Sequence, residues 1–293
     1  MSSNNAKRSV KHSIYQLMKD KSDGLSFSTR HTMTERLSAT AMDLHEIGYG
    51  IRDITKIKQR HVEDLVKYWQ SMNLAAGTIK NRMSDLRFVC DVTGRKEVVK
   101  PRNADYGIGK RRYVPVESKA IHEIDLSKVK DPFLKHSLKL QQAFGLRREE
   151  SLKIIPSQAD KDTHLWLKGS WTKGNVERCI VITTQEQRKV LDEVKAFVKR
   201  GKSLIPTTKT YIQQRHLYDR ETKALSYKNL HGLRHAYAQH RYKAITGNEA
   251  PINGGLNGNK LSKAEKMNDR TARLQISREL GHTRVSITKV YVG

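Results

Sequence analysis

Cysteine and long apolar segments are both scarce in this 293-residue sequence. Cys90 and Cys179 are its only cysteines, which are too few for a disulfide framework and lack the spacing of a zinc site. No segment approaches the roughly 18 consecutive apolar residues of a membrane-spanning helix. The first five residues, Met1 to Asn5, are polar and lack the apolar region of a signal peptide. We therefore expect a cytoplasmic, globular protein that has no membrane partner.

Acidic residues are scarce as well, with 30 Asp and Glu against 56 Lys and Arg, so the formal net charge is +26. Residues 1–115 hold 22 basic and 12 acidic side chains, and residues 116–293 hold 34 and 18, so both parts are basic. Such a field attracts polyanions and favours a nucleic-acid partner. A highly soluble protein, or one that meets RNA or an anionic membrane, would carry the same charge. The 37% hydrophobic content is enough for a buried core, and the length suits two domains.

The N-terminal third predicts short helices. Apolar residues recur at helical spacing over residues 29–47, over residues 62–69 and again from about residue 78. Three basic residues lie off the apolar stripe of the last segment: Lys80, Arg82 and Arg87. They are candidates for contacts with a phosphate backbone. They suit a solvated basic face on a small helical bundle equally well.

The helical pattern stops after residue 94. Glycine and proline then recur as far as Pro115. A basic run stands near the end of this stretch: Lys110, Arg111 and Arg112. We therefore expect a helical N-terminal domain over residues 1–94, an extended basic linker over residues 95–115 that is a further candidate for contacts with a phosphate backbone, and a second domain over residues 116–293.

The second domain predicts a mixed fold that is mainly helical. Its expected elements are a helix over residues 132–144, strands over 164–168 and 177–182, a helix opened by the capping-box residues 183–186, a helix holding His231 and Arg234, a mobile loop over 246–260, and closing helices over 262–280 and 285–291. The two strands form a hairpin around a turn that contains Gly169 and Gly174. The expected fold class is mainly α with a small β-hairpin.

An ordered set of polar residues in this domain points to chemistry on a phosphate. Four blocks carry it: Phe144-Gly-Leu-Arg-Arg-Glu-Glu-Ser-Leu152, Thr172-Lys-Gly-Asn-Val-Glu-Arg178, His231-Gly-Leu-Arg-His-Ala-Tyr-Ala238 and Leu280-Gly-His-Thr-Arg-Val-Ser-Ile-Thr-Lys-Val-Tyr291. Any one block is weak evidence, because a chain with 12 histidines and many arginines matches a short His–Arg motif by chance. The weight comes from the order of the blocks and the spacing within them.

Together the blocks resemble the tyrosine recombinase (phage integrase) family over about residues 116–292. The helical N-terminal third is similar, with lower specificity, to the family's core-binding domain. The resemblance implies a two-domain tyrosine recombinase architecture, with the helical domain and a mixed catalytic domain closing as a clamp around duplex DNA. It also implies that the chain cleaves and rejoins DNA through a 3′-phosphotyrosine intermediate. Because that linkage conserves the bond energy, neither ATP nor a metal is expected as a cofactor.

The resemblance assigns one group of residues to the phosphate. Arg147 and Arg234 would clamp the non-bridging oxygens, since planar guanidinium groups complement the negative charge that develops there. His282 would add a hydrogen-bond donor. Such charge stabilisation is commonly the largest catalytic contribution. Glu150 matches the acidic position of the first arginine block and would support the site rather than act as a base.

A second group is implied to handle the nucleophile and the protons. Tyr291 would attack the phosphorus and become linked to one DNA end, leaving a free hydroxyl on the other. A tyrosine hydroxyl has a reference pKa near 10, so it needs a proton acceptor, for which His231 is the candidate. Lys173, on the hairpin turn, would be the general acid that protonates the leaving 5′ oxygen.

Alternatives exist for three of these residues. Arg148 could be the clamp in place of Arg147, which we favour because it directly follows Gly-Leu. A lysine on a turn is usually only solvated, and Lys168 lies near Lys173. His231 and His235 stand one helical turn apart, as metal ligands do, but no carboxylate or cysteine accompanies them at a suitable spacing, so we expect no metal site.

The sequence departs from the family pattern in three places. Phe144 replaces the small hydroxyl residue that commonly precedes Gly-Leu-Arg. Residues 246–275 form an insert that compact relatives lack. The chain also stops at Gly293, two residues after Tyr291, whereas many relatives continue into a helix that docks on the next protomer. How protomers dock is therefore less certain than the chemistry.

The resemblance also implies partners. A homotetramer would exchange strands on double-stranded DNA sites with inverted repeats, whereas the free protein would be a monomer or a weak oligomer associated with the nucleoid. The reaction would integrate or excise a mobile element. One alternative is a type IB topoisomerase-like enzyme that relaxes DNA without choosing a site. Another is a catalytically silent DNA-binding accessory protein, against which the complete catalytic set argues.

Overall fold

The computed structural model describes residues 3–225, 227 and 229–293. The chain divides into two compact units, Met1–Arg112 and Tyr113–Gly293. Within the described residues, no helix is long and apolar enough to cross a membrane.

The first unit is a bundle of helices. Its four α-helices are α1 (Ser3–Lys21), α2 (Phe27–Glu46), α3 (Gln59–Ser71) and α4 (Ala76–Val92). The last three confirm the helices predicted from apolar spacing, and their stripe residues Leu37, Leu65 and Leu86 are fully buried in the core. Ser26 caps α2 by accepting a hydrogen bond from a backbone N–H of the first turn.

The stretch predicted as an extended linker differs from that prediction in its first part. Short 3₁₀ turns form at Lys96–Val98 and Asn103–Tyr106. Val98, Val99 and Ile108 are buried in the core of the first unit. Glycine and proline do end the regular helices here, but the apolar residues between them still bury their side chains. The first unit consequently extends to Arg112.

The second unit is mainly helical and carries one β-hairpin, as predicted. Its elements are α5 (Pro132–Phe144), α6 (Arg148–Lys153), α7 (Pro156–Ala159), β1 (His164–Leu167), β2 (Arg178–Val181), α8 (Gln185–Phe197), α9 (Tyr211–Lys223), α10 (Gly232–Thr246), α11 (Lys263–Glu279) and α12 (Lys289–Val292). The two strands are antiparallel, with Leu165 opposite Ile180 and Leu167 opposite Arg178.

Helix α10 lies at the centre of the second unit. Every residue from Gly232 to Gln239 is buried, and the helix packs against α5, α11 and α12. Burial of this half of the helix is compatible with its sequence because the buried side chains of Arg234 and Gln239 have hydrogen-bond partners, as described below. Its N-terminal turn therefore places His231 and Arg234 next to α12, the helix that holds Tyr291.

The insert forms an ordered connection in the structure. Between α10 and α11, residues 247–261 (the 247–261 loop) contain 3₁₀ turns at Pro251–Asn253 and Gly258–Lys260. Ala250 is fully buried against the core of the unit. The predicted closing helices are confirmed in position, although the second begins as a 3₁₀ turn at Val285–Thr288 before α12.

Candidate active site

The hydroxyl of Tyr291 lies at the centre of a polar cluster. Its oxygen is 3.2 Å from Nε2 of His282, 3.4 Å from Nε2 of His231 and 3.4 Å from Nε of Arg234. The residue itself is only 5% exposed. Side chains from the third and fourth sequence blocks therefore meet at the phenol oxygen of Tyr291, an atom that can act as a nucleophile.

Arg234 joins two loops of the site. Its Nη1 donates to the carbonyl of Gly145 at 2.5 Å, and its Nη2 donates to the carbonyl of Leu280. Burial and the nearby charge of Arg147 lower the pKa of Arg234 to about 10, so its guanidinium remains charged at neutral pH. Gly145 has a φ of +60°, and a Cβ there would lie 2.5 Å from the ring of Tyr237, so only glycine fits this turn.

Glu150 connects two further arginines. Its carboxylate accepts from the backbone N–H and Nη1 of Arg147, both at 2.7 Å, and from Nη1 and Nη2 of Arg178 at 3.0 and 2.7 Å. Burial alone would raise the pKa of Glu150, but the bonds and charge of Arg178, with Arg147 and Arg234, lower it to about 2. Glu150 is therefore ionised throughout the neutral range and orients Arg147.

Sequence reasoning missed Arg178. Its side chain is buried, and Nε donates to the backbone carbonyl of Glu279 at 2.8 Å. Gly281, with a φ of +65°, lets the loop before His282 pass against this side chain, since a Cβ there would lie 3.0 Å from the arginine Cδ. The available signal was strand alternation, because Arg178 shares the inward face of β2 with Ile180.

The two histidines beside Tyr291 carry no charge at neutral pH. Removal from water and the charges of Arg234 and Arg147 lower the pKa of His231 to about 4 and that of His282 to about 3. A neutral imidazole can accept a proton, whereas an imidazolium cannot. Either ring can therefore serve as an acceptor for the tyrosine proton.

Lys173 is exposed on the turn between β1 and β2, next to Gly174 with its φ of +79°. Among the described residues, the hydrogen bonds of the Tyr291 cluster do not include Lys173. Lys168 is also exposed and stands just before the 3₁₀ turn Gly169–Trp171. The structure therefore brings together all the expected catalytic residues except the lysine.

The alternative arginine lies apart from the cluster. Arg148 pairs with Asp219 at 2.5 Å, and its guanidinium lies over the ring of Tyr218, 5.5 Å from the centroid. Arg147, by contrast, is held by Glu150 and remains 24% exposed at its side chain. Arg147 and Arg234 both act on the charge of Glu150, whereas Arg148 pairs with a different carboxylate.

His235 packs against the nucleophile. Its ring centroid is 4.7 Å from that of Tyr291 and 5.6 Å from that of His231. Burial and the neighbouring charges lower the pKa of His235 to about 4. Over the residues that the structure describes, no group of three or more His, Cys, Asp or Glu side chains has an arrangement that could hold a metal ion.

The basic residues expected at a DNA backbone have varied surroundings. Arg82 pairs with Asp43 and lies over the ring of Trp69, and Arg87 donates to the carbonyl of Lys100 and the side chain of Asn103. These two guanidinium groups already have intramolecular acceptors, so a phosphate would have to compete with those bonds. The other four candidates are half-buried or exposed: Lys80, Lys110, Arg111 and Arg112.

Two family models match the chain. The model for the N-terminal part of phage integrases matches residues 10–99, and the integrase model matches residues 109–240. Four expected catalytic residues lie inside the second match: Arg147, Lys173, His231 and Arg234. His282 and Tyr291 follow it in the sequence. No curated protein sequence matches the chain.

Several solved structures share the fold. A lambda integrase dimer bound to a COC′ core site has a TM-score of 0.60 at 15% identity, over 96% of this chain and 76% of that one. The recombinase XerH bound to palindromic difH substrate has 0.55 at 14%, over 97% and 81%. The Tn1549 transposon integrase in complex with circular intermediate DNA has 0.51 at 15%, over 97% and 95%.

Proposed function

Because this chain belongs to the phage integrase family of tyrosine recombinases, whose members cleave and rejoin DNA at specific sites, we propose that Tyr291 is its nucleophile and that cleavage leaves a 3′-phosphotyrosine. The observation that carries the proposal is the position of the Tyr291 hydroxyl, within 3.4 Å of Arg234, His231 and His282. This oxygen has both a positive charge and two neutral imidazoles beside it.

The chemistry is a transesterification at phosphorus. The Tyr291 oxygen forms a bond to phosphorus, the bond from phosphorus to the 5′ oxygen breaks, and the tyrosine proton passes to His231. Arg147 and Arg234 stabilise the negative charge on the non-bridging oxygens, and His282 donates a hydrogen bond to it. Lys173 supplies a proton to the departing 5′ oxygen.

Religation is the reverse of cleavage. A 5′ hydroxyl attacks the phosphotyrosine and gives its proton to Lys173, the bond from phosphorus to the Tyr291 oxygen breaks, and the proton held on His231 returns to that oxygen. Because one phosphodiester replaces another in each step, the reaction consumes no ATP. In two-metal nucleases, divalent cations stabilise the negative charge that develops at the phosphate. Arg147 and Arg234 stabilise it here, so the chemistry requires no metal ion.

The biological substrate we propose is a pair of duplex sites with inverted repeats, recombined by a homotetramer during integration or excision of a mobile element. The basic residues Lys80, Lys110, Arg111 and Arg112 supply candidate contacts with the DNA backbone. The match to integrase models favours this role over the topoisomerase-like alternative. The prevalence of positive charge in both units is consistent with a protein that holds DNA along much of its length.

A two-stage experiment tests the proposal. Nicked duplexes of randomised sequence are incubated with the protein in excess EDTA, and those trapped covalently are recovered and sequenced. Two copies of the recovered sequence are then cloned on separate plasmids, with a plasmid that lacks the sequence as control. Cointegrate formation only when both copies are present supports a site-specific recombinase. Relaxation of the control plasmid as fast as relaxation of a plasmid that carries the sequence would indicate the topoisomerase-like activity instead.

A further inference from the structure

One face of α10 contacts three different parts of Tyr291. His231, His235 and Gln239 follow each other at intervals of four residues, so their side chains lie along the same stripe. The first lies against the hydroxyl and the second against the ring. The third, Gln239, donates from Nε2 to the backbone carbonyl of Tyr291 at 3.0 Å.

The amide of Gln239 is held on its other side by the insert. Its Oε1 accepts from Nδ2 of Asn253, in the 247–261 loop, at 3.0 Å. Its Nε2 also donates to the hydroxyl of Ser118 at 2.9 Å. Gln239 itself is 3% exposed and its bond to Tyr291 is buried, whereas Ser118 and Asn253 lie at the surface. The two bonds agree in direction: the carbonyl of Tyr291 accepts from the N–H end of the amide and Asn253 donates to its oxygen end, so Asn253 supports the orientation in which Gln239 donates to Tyr291.

Side chains of neighbouring elements hold α12, which covers Lys289–Val292. Gln239 donates to the carbonyl of Tyr291, and Nη1 of Arg273 donates to the carbonyl of Gly293 at 2.7 Å. These bonds attach Tyr291 and the residues after it to α10 and α11.

We infer that Gln239 is a positioning residue for the nucleophile, and that the 247–261 loop sets its orientation through Asn253. The inference rests on the proposed role of Tyr291. Gln239 touches the backbone of Tyr291 but none of the reacting atoms. Its effect is to keep the hydroxyl between Arg234, His231 and His282 before DNA arrives.

The test compares variants of the full-length protein on a nicked duplex that the parent traps. Gln239→Leu removes all three of these amide hydrogen bonds, including the one to Tyr291, at similar volume. Gln214→Leu is the matched control, since Gln214 is a fully buried glutamine of the same unit that donates to Asp131. The readouts are the single-turnover rate of covalent adduct formation at saturating DNA, the affinity for the duplex, and the thermal midpoint of unfolding.

We expect Gln239→Leu to form the adduct about tenfold more slowly, the size of effect that loss of one or two hydrogen bonds produces. DNA affinity should stay unchanged, because no DNA contact is removed. Gln214→Leu, which also replaces a buried amide of this unit, should keep the parent's rate. An unchanged rate for Gln239→Leu, or an equal loss of rate in both variants, would overturn the inference.

The orientation of the amide gives a second, independent readout. Asn253→Asp replaces a donor with an acceptor, so Gln239 should rotate its N–H group towards the carboxylate and present its oxygen to the Tyr291 carbonyl. Asn253→Asp should therefore slow adduct formation more than Asn253→Ala, and it should have no further effect when combined with Gln239→Leu. Slower adduct formation by Asn253→Ala than by Asn253→Asp, or additive effects of Asn253→Asp and Gln239→Leu on the rate, would contradict the inference. If the parent itself forms no adduct with any duplex, the proposed function fails first.

Discussion

Nε of Arg234 lies 3.4 Å from the hydroxyl oxygen of Tyr291, although the two residues are 57 positions apart in the sequence. Arg234 is held by the carbonyls of Gly145 and Leu280, and these belong to the loops that precede Arg147 and His282. One buried guanidinium therefore organises three of the sequence blocks around the nucleophile, which is what preorganised charge stabilisation requires.

Removal of the carboxylate that links Arg147 to Arg178 should destabilise the protein. Glu150→Ala leaves the buried Arg178 guanidinium without its charged partner, and such losses cost about 3–5 kcal/mol. The free energy of unfolding from urea titration measures the effect. The control is Glu193→Ala, because Glu193 is 40% exposed at its side chain and pairs with Lys139 near the surface, where a pair contributes less than about 1 kcal/mol. Equal losses in the two variants would argue against a special role for the Glu150 pair.

The stability of the protein should fall as the solution becomes acidic. The folded state holds His231 neutral down to a pKa of about 4, against an ordinary value of 6.5, and His282 down to about 3. Between pH 6.5 and 4 the unfolded chain therefore takes up protons on these rings while the folded protein does not, so the free energy of unfolding decreases with falling pH.

The histidine contribution can be isolated with a variant. We expect His231→Gln to show a shallower decrease between pH 6.5 and 4 than the parent, because one of the responsible groups is gone. Urea titrations at a series of pH values measure both slopes. Parallel curves for the two proteins would show that His231 titrates alike in the folded and unfolded states.

The role proposed for Lys173 can be separated from DNA binding. If it protonates the departing 5′ oxygen, Lys173→Ala should slow cleavage by roughly 10²–10⁴-fold. A substrate with sulfur in place of that bridging oxygen has a leaving group of much lower pKa, so it should restore most of the rate. Arg147→Ala should gain no such rescue, because its defect concerns the non-bridging oxygens. Equal impairment of Lys173→Ala on both substrates would show that Lys173 only holds DNA, and Lys168 would be the next candidate.

The sequence was informative where the signal is local. The four sequence blocks span only a few residues each, and their resemblance to the tyrosine recombinase family singled out Arg147, His231, Arg234 and His282. The β-hairpin and the closing helix α11 followed from apolar spacing and glycine positions for the same reason.

Long-range partners could not be predicted in this way. Nothing in the sequence around Arg178 or Gln239 marks these residues. Their hydrogen-bond partners become apparent only from the packing of β2 on α11 and of α12 on α10. Residues 95–108 were expected to be extended because of their glycine and proline content, yet Val98, Val99 and Ile108 bury themselves in the first unit. Arg82 and Arg87 lie off the apolar stripe of their helix, whereas their acceptors, Asp43 and the carbonyl of Lys100, come from other segments.

The central claim is that the Tyr291 oxygen attacks the phosphorus, and identification of the residue joined to DNA tests it most directly. A trapped covalent adduct is digested with protease and nuclease, and the nucleotide-bearing peptide is sequenced by mass spectrometry. We predict that the modification lies on Tyr291, and that Tyr291→Phe binds the same duplex with nearly the parent's affinity but forms no adduct, since only the nucleophilic oxygen is lost. A modification on any other residue, or an undiminished adduct from Tyr291→Phe, would contradict the claim.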